Sequence, residues 1–184
     1  MMNGFIETVS GNAFYPMSPN GTDVNIRDIA HALAHICRFN GHTKHFYSVA
    51  QHSINCANLA AMLNGSAELQ LACLMHDASE AYICDIPAPF KPNLVGYRTI
   101  ETNIQQVIVD SLGIPDVPYG AVKEIDMLVL ELEGRELMPC LQWSPGHGII
   151  FDAYIKKLNF RNCKPESIRK QFMDTFKRLS TRVL

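Results

Sequence analysis

Apolar residues recur at intervals of three and four over most of the chain, the signature of helices with one buried face. Ile26, Ile29, Ala30, Leu33, Ile36 and Cys37 form the first such stripe, with Asp23 or Asn25 available to cap its start and Arg38-Phe39-Asn40-Gly41 at its end. Ser48-Val49-Ala50-Gln51 has the form of a capping box, in which Ser48 accepts from the Gln51 N–H while the Gln51 side chain reaches back. It opens a helix that runs to about Leu63 and stops at Asn64-Gly65. A third helix is predicted from near Ser66 through Leu69, Ala72, Cys73 and Met75 to about Tyr82. Asp85-Ile86-Pro87-Ala88-Pro89 cannot extend it, because the prolines lack a donor and fix the backbone. A fourth covers Tyr97 to Leu112, ended by Gly113 and Pro115, and a fifth runs from near Tyr119 through Ile125, Leu128, Val129 and Leu132 to about Met138. Trp143-Ser144-Pro145-Gly146-His147-Gly148 reads as a loop, and two more helices are expected over 149–159 and 165–181. Residues 4–15 differ: apolar positions flank the turn Ser10-Gly11-Asn12, which predicts a short β-hairpin or an irregular lead-in. The expected architecture is all-α, about seven helices in a single domain over 1–184. It has a lead-in over 1–24, a helical core over 25–138 and C-terminal helices over 139–184.

Composition narrows the partners. The 184 residues carry 16 Lys plus Arg against 18 Asp plus Glu, a net charge of −2, so the basic excess needed to hold a nucleic-acid polymer is absent. A local pocket for one small phosphate is compatible with that balance. No basic start followed by an apolar run marks a secretory signal, and no stretch approaches the ~18 apolar residues of a membrane span. The six cysteines include no Cys-x-x-Cys pair. They are expected to be reduced core thiols of a cytoplasmic protein, which argues against a cysteine-based zinc site.

The only adjacent His-Asp pair, His76-Asp77, lies in an otherwise apolar helix, with Glu80 four and three residues on. A metal site needs further ligands from other helices. His52 follows the capping box, and Asp126 interrupts the apolar stripe of the fifth helix, where a carboxylate is costly unless paired or bound to a metal. Two histidines and two aspartates suit Mn²⁺, Co²⁺, Zn²⁺, Fe²⁺ or Ni²⁺ better than Mg²⁺. Simpler roles compete: a satisfied core histidine for His52, a buried ion-pair partner for Asp126, a helix-end residue for Arg38, a core ring for Phe39, a turn cap for Asp85. His31 and His35 are also spaced as a ligand pair, but Ala32 occupies the position where a zinc-protease motif needs Glu.

The order His52, His76-Asp77, Asp126 resembles the metal motif of HD-domain phosphohydrolases. Three longer strings are more specific: Ser48-Val49-Ala50-Gln51-His52-Ser53, His76-Asp77-Ala78-Ser79-Glu80, and Asp85-Ile86-Pro87-Ala88-Pro89-Phe90-Lys91. They resemble the bacterial 5′-deoxynucleotidase branch. The lead-in from Asp28 to Leu33 and from Arg38 to His42 is similar to a prophage-associated subgroup, close to the phage dATP triphosphohydrolases. The resemblance covers about 25–138, with a weaker match at Pro145-Gly146-His147.

This resemblance implies an HD-type helical bundle with one divalent metal on His52, His76, Asp77 and Asp126. It implies that Glu80 and Asp85 handle the water and the proton. Arg38 and an aromatic neighbour contact the nucleotide, here Phe39 where the deoxynucleotidases have Trp, and Lys91 matches a lysine at the end of the proline loop. The implied substrate is a small deoxynucleotide cleaved at its 5′ α-phosphate, either a dNMP releasing phosphate or a dNTP such as dATP releasing triphosphate. No polymer or membrane partner is expected. The family is often dimeric or larger, and no apolar stripe here is surplus to the core, so a homo-oligomer is an open expectation. The competing functions are a non-catalytic nucleotide-sensing HD module and a plain helical interaction protein.

Overall fold

The computed structural model describes residues 4–139 and 154–183. The expected loop at 143–148 and the first five residues, 149–153, of the expected helix at 149–159 lie outside them, as do Pro145, Gly146 and His147. The described residues are mostly helical. The elements are α1 (Ile26–His35), α2 (Val49–Met62), α3 (Ala67–Met75), a single turn α4 (Glu80–Ile83), α5 (Tyr97–Leu112), α6 (Tyr119–Leu137) and α7 (Pro165–Val183). Residues 154–158 form one helical turn. The hairpin is present: β1 (Ile6–Glu7) pairs antiparallel with β2 (Ala13–Phe14). Gly11 takes the left-handed conformation its turn needs, φ 82°. The Ser10 backbone N–H and hydroxyl both donate to the Asp28 carboxylate, and Phe14 stacks on Tyr82 with ring centroids 3.6 Å apart. The hairpin is thereby held against α1 and α4. No helix among the described residues is long and apolar enough to cross a membrane.

The expected caps form. Asn25 accepts from Arg27 N–H at the start of α1, Ser48 and Gln51 close both halves of the capping box, and Gly113 ends α5 at φ 64°. Two apolar clusters make the core. Ile29, Leu33, Leu71, Leu74, Ile104, Ile108 and Phe172 anchor one, and Tyr47, Leu59, Cys73, Val129, Leu132 and Phe160 the other. α2 packs on α3 and is also covered by α1, α6 and α7.

One helix differs from expectation. The third does not run unbroken to Tyr82: α3 ends at Met75, and i→i−3 hydrogen bonds, from Ala78 N–H on the Met75 carbonyl to Tyr82 N–H on the Ser79 carbonyl, lead into α4. The reason lies on α5. The Gln105 side chain donates to the Met75 carbonyl at 2.8 Å and accepts from the Ser79 N–H at 3.0 Å, so one amide satisfies both edges of the break. His76 and Asp77 sit on this turn.

Candidate metal centre

Nearly every residue of α2 from Val49 to Ala60 is buried, so its polar side chains must be satisfied within the protein. Ser53 donates to the Val49 carbonyl, Gln51 to the Arg161 carbonyl, and Asn55 to both the Tyr47 hydroxyl and the Asn159 carbonyl. His52, fully buried, donates from Nδ1 to Glu133 Oε1 at 2.7 Å. Its Nε2 consequently faces the other way, 3.3 Å from His76 Nε2 and 3.2 Å from Asp126 Oδ1. His76 is fixed in turn by its Nδ1 on the Cys73 carbonyl, 2.8 Å away. Asp77 Oδ2 lies 3.2 Å from His76 Nε2 and 3.7 Å from His52 Nε2. Asp126 Oδ1 is 3.8 Å from His76 Nε2, while its other oxygen accepts from Lys123 Nζ at 2.6 Å. All four residues expected as ligands therefore converge, from α2, the α3–α4 turn and α6.

Cys56, one turn beyond His52, adds a donor that the sequence did not suggest. His52, Cys56, His76 and Asp126 each offer a ligand atom, all within 4.8 Å of one another, and this group could hold a metal ion. The described cysteines are free thiols as expected, but Cys56 Sγ stands 3.5 Å from His52 Nε2 rather than among core methyls alone. Donors about 2.0–2.2 Å from one ion at tetrahedral or octahedral angles are ~2.8–3.6 Å apart. Three of the separations among the imidazoles and carboxylates, 3.2–3.3 Å, fall in that range, and the other two, 3.7 and 3.8 Å, lie just above it. Imidazole, carboxylate and thiol together favour a borderline transition metal over Mg²⁺.

The electrostatics follow from crowding. Burial works against charge on Asp77, but His76, His52 and Arg38 outweigh it and hold its carboxyl below the ordinary range. Burial likewise opposes charge on Asp126, and its bonds to His52 and His76 overcome it. Both imidazoles are raised despite burial, His76 by Asp77 and Asp126, His52 by Glu133 and Asp126. Glu80 behaves oppositely. It is 4% exposed, its Oε2 has no partner, and burial together with Asp77 and Asp85 pushes it up to about 10, a neutral acid at pH 7. Burial also raises Asp85, while Arg38 and Lys91 favour its charged form.

The remaining expected residues border this cluster. Arg38 is buried at the start of a 3₁₀ turn (39–41), placed by its backbone N–H on the Tyr47 carbonyl. Its Nη1 lies 3.7 Å from Asp77 Oδ2 and its Nε and Nη2 hold Glu133 Oε2 at 3.2 and 3.1 Å. Phe39 adjoins it, ring centroid 5.6 Å from the guanidinium carbon, at φ 54°, a conformation bulky residues rarely adopt. Lys91 Nζ bonds Glu101 at 2.8 Å and lies 3.8 Å from Glu80. Cys84, at φ 67° and ψ 161°, occupies backbone territory normally left to glycine and turns the chain out of α4 into Asp85. His31 and His35 stack with centroids 4.2 Å apart, and neither joins the cluster.

Sequence reasoning missed Glu133, Tyr47 and Gln105. Glu133 carried the same signal as Asp126: a carboxylate on the apolar stripe of α6, seven residues on and so on the same face. Arg38 and His52 outweigh the cost of its burial and keep it ionised. Tyr47 and Gln105 carried no sequence signal, since their roles depend on contacts between distant segments.

No protein-family model matches the chain. It is 46% identical over 133 residues to the uncharacterized protein YfdR of Escherichia coli K12, covering 72% of this chain and 72% of that protein. It is 32% identical over 146 residues to an uncharacterized protein of Rhodobacter capsulatus, covering 74% of each. The identity to YfdR extends over more than two thirds of both proteins, and the chain belongs to the family of the Escherichia coli protein YfdR.

Proposed function

We propose that the chain is a metal-dependent phosphohydrolase of HD type, acting at the 5′ α-phosphate of deoxyribonucleotides. The observation that carries this reading is the convergence of His52, His76, Asp77 and Asp126 beside a buried arginine and a buried glutamate with an unpartnered oxygen. A divalent ion held there supplies Lewis acidity toward a phosphate oxygen and a more acidic water. The chain's own residues do the rest. Arg38, kept charged by Glu133, Asp77 and Asp85 against the cost of burial, offsets phosphate charge and orients the ester. Glu80 holds a proton at neutral pH and donates it to the leaving 5′ oxygen. Asp85, in the field of Arg38 and Lys91, is the acceptor for the proton of the attacking water. Phe39 stands beside Arg38 to pack on the nucleoside.

The charge balance favours the monophosphate. Arg38, Lys91 and Lys123 each already face carboxylates: Glu133 and Asp77, Glu101 and Glu80, and Asp126. These three cations of the described residues therefore offer little uncompensated charge to a triphosphate tail. The free, buried Cys56 thiol beside the cluster suits a reducing compartment, the cytoplasm.

The test is a panel of dNMPs, NMPs and dNTPs with Mn²⁺, Co²⁺, Zn²⁺, Fe²⁺ and Ni²⁺ on chelator-stripped protein. Phosphate release from dNMPs is the expected result. Triphosphate release from dNTPs keeps the HD reaction and overturns the monophosphate preference. Nucleotide binding without turnover under every metal overturns the enzyme reading in favour of a sensing module.

A further inference from the structure

Glu133 is fully buried on α6 and every strong acceptor direction of its carboxylate is taken. Oε1 receives His52 Nδ1 at 2.7 Å and the Tyr47 hydroxyl at 2.9 Å. Oε2 receives Arg38 Nε at 3.2 Å and Nη2 at 3.1 Å. It has no capacity left for an ion of its own. Tyr47 is itself held by Asn55, which is clamped on both sides by the backbone of Asn159. The carboxylate is thus anchored from behind and touches two groups that face the cluster from different segments.

We propose that Glu133 is the positioning residue of this centre, one carboxylate that fixes the His52 imidazole for the metal and the Arg38 guanidinium for the phosphate. This inference rests on the reading above that His52 binds metal and Arg38 meets phosphate. With Nδ1–H committed to Glu133, His52 presents Nε2 and its lone pair to the cluster. With Nε and Nη2 committed to the same carboxylate, Arg38 keeps Nη1 on the side of Asp77. An isolated imidazole and guanidinium would each sample several rotamers. Tied to one buried anchor, they hold a fixed separation, so metal affinity and phosphate affinity depend on the same side chain.

The experiment compares unaltered protein, Glu133→Gln and Tyr47→Phe. All are checked for folding by circular dichroism and titrated by calorimetry with Mn²⁺, then with inorganic phosphate on the Mn²⁺-loaded forms. Glu133→Gln keeps the size of the side chain but turns one acceptor oxygen into a donor. It is expected to weaken Mn²⁺ binding about 10–100-fold and phosphate binding about tenfold. Tyr47→Phe removes a support without removing the carboxylate, and is expected to lower Tm while shifting the Mn²⁺ Kd by less than about threefold. Wild-type Mn²⁺ affinity in a folded Glu133→Gln variant overturns the proposal and leaves Glu133 a structural ion-pair partner. Should Glu133→Gln not fold, the unaltered Zn²⁺ form decides by nitrogen NMR. A solvent-protected proton on His52 Nδ1 supports the anchor, and metal on Nδ1 overturns it. Unaltered protein that binds no Mn²⁺ sinks the metal centre and this inference together. Metal binding without phosphate-ester hydrolysis sinks the proposed function alone, and the Glu133 comparison still stands.

Discussion

Asp77→Ala is expected to lower kcat by about 1,000-fold or more and to weaken Mn²⁺ binding strongly, while the protein stays folded. Asp77 Oδ2 is the oxygen placed between the two imidazoles, 3.2 Å from His76 Nε2 and 3.7 Å from His52 Nε2. Without it the cluster loses a negative charge and a donor, and both imidazoles and Arg38 lose part of the field that balances them. Lewis-acid stabilisation of a phosphoryl transition state is worth several kcal/mol, and ~4 kcal/mol is about 1,000-fold in rate. The fold survives because the Asp77 side chain is 22% exposed, so truncation admits water instead of opening a sealed cavity. Steady-state kinetics at saturating Mn²⁺, a metal titration and a thermal melt check all three parts. Near-normal turnover with bound metal would contradict the ligand role.

Glu80→Gln is expected to make the protein more stable and far less active. Glu80 carries its proton in the folded state up to about 10, against an ordinary value of 4.5. Below 4.5 the acid is protonated both folded and unfolded, and it costs nothing. As pH rises the unfolded chain releases the proton and the folded chain does not, so wild-type stability falls by about 1.4 kcal/mol per pH unit. Glutamine has no proton to lose. The variant gains nothing near pH 4 and ~3 kcal/mol at pH 7. Urea melts of both proteins in chelator, from about pH 4 to pH 8, read this directly, because bound metal would add its own stabilisation. A stability gap that does not grow with pH contradicts the buried neutral acid. Loss of the proton donor should cost about 10²–10⁴-fold in kcat. A variant that is more stable yet slower places that loss in the chemistry, not in unfolding.

Much of the scaffold was legible because it depends on local rules. The Ser48–Gln51 capping box, the Asn25 cap, the Gly113 stop and the hairpin around Gly11 are each decided within a few residues. The break after Met75 was not legible. Nothing between Ser66 and Tyr82 forbids a continuous helix, and the competing hydrogen bonds come from Gln105, on α5. The site divides in the same way. His52 and Asp126 stood out as polar residues in apolar stripes, and His76-Asp77 as a rare dipeptide. Glu133 has the same signature as Asp126 but lies outside the motif that the resemblance supplies. Cys56 looked like any core thiol, and only the fold shows that it shares its helix face with His52. Arg38 was identifiable as a charged residue at a helix end. Its burial against Glu133 depends on a contact across 95 residues.

Crystals soaked in manganese and measured for anomalous scattering test the convergence of these side chains most directly. The expected result is a single strong peak about 2.0–2.4 Å from His52 Nε2, His76 Nε2, Asp77 Oδ2 and Asp126 Oδ1. No peak among the four, or manganese bound elsewhere with those side chains apart, would contradict the metal centre and the function drawn from it.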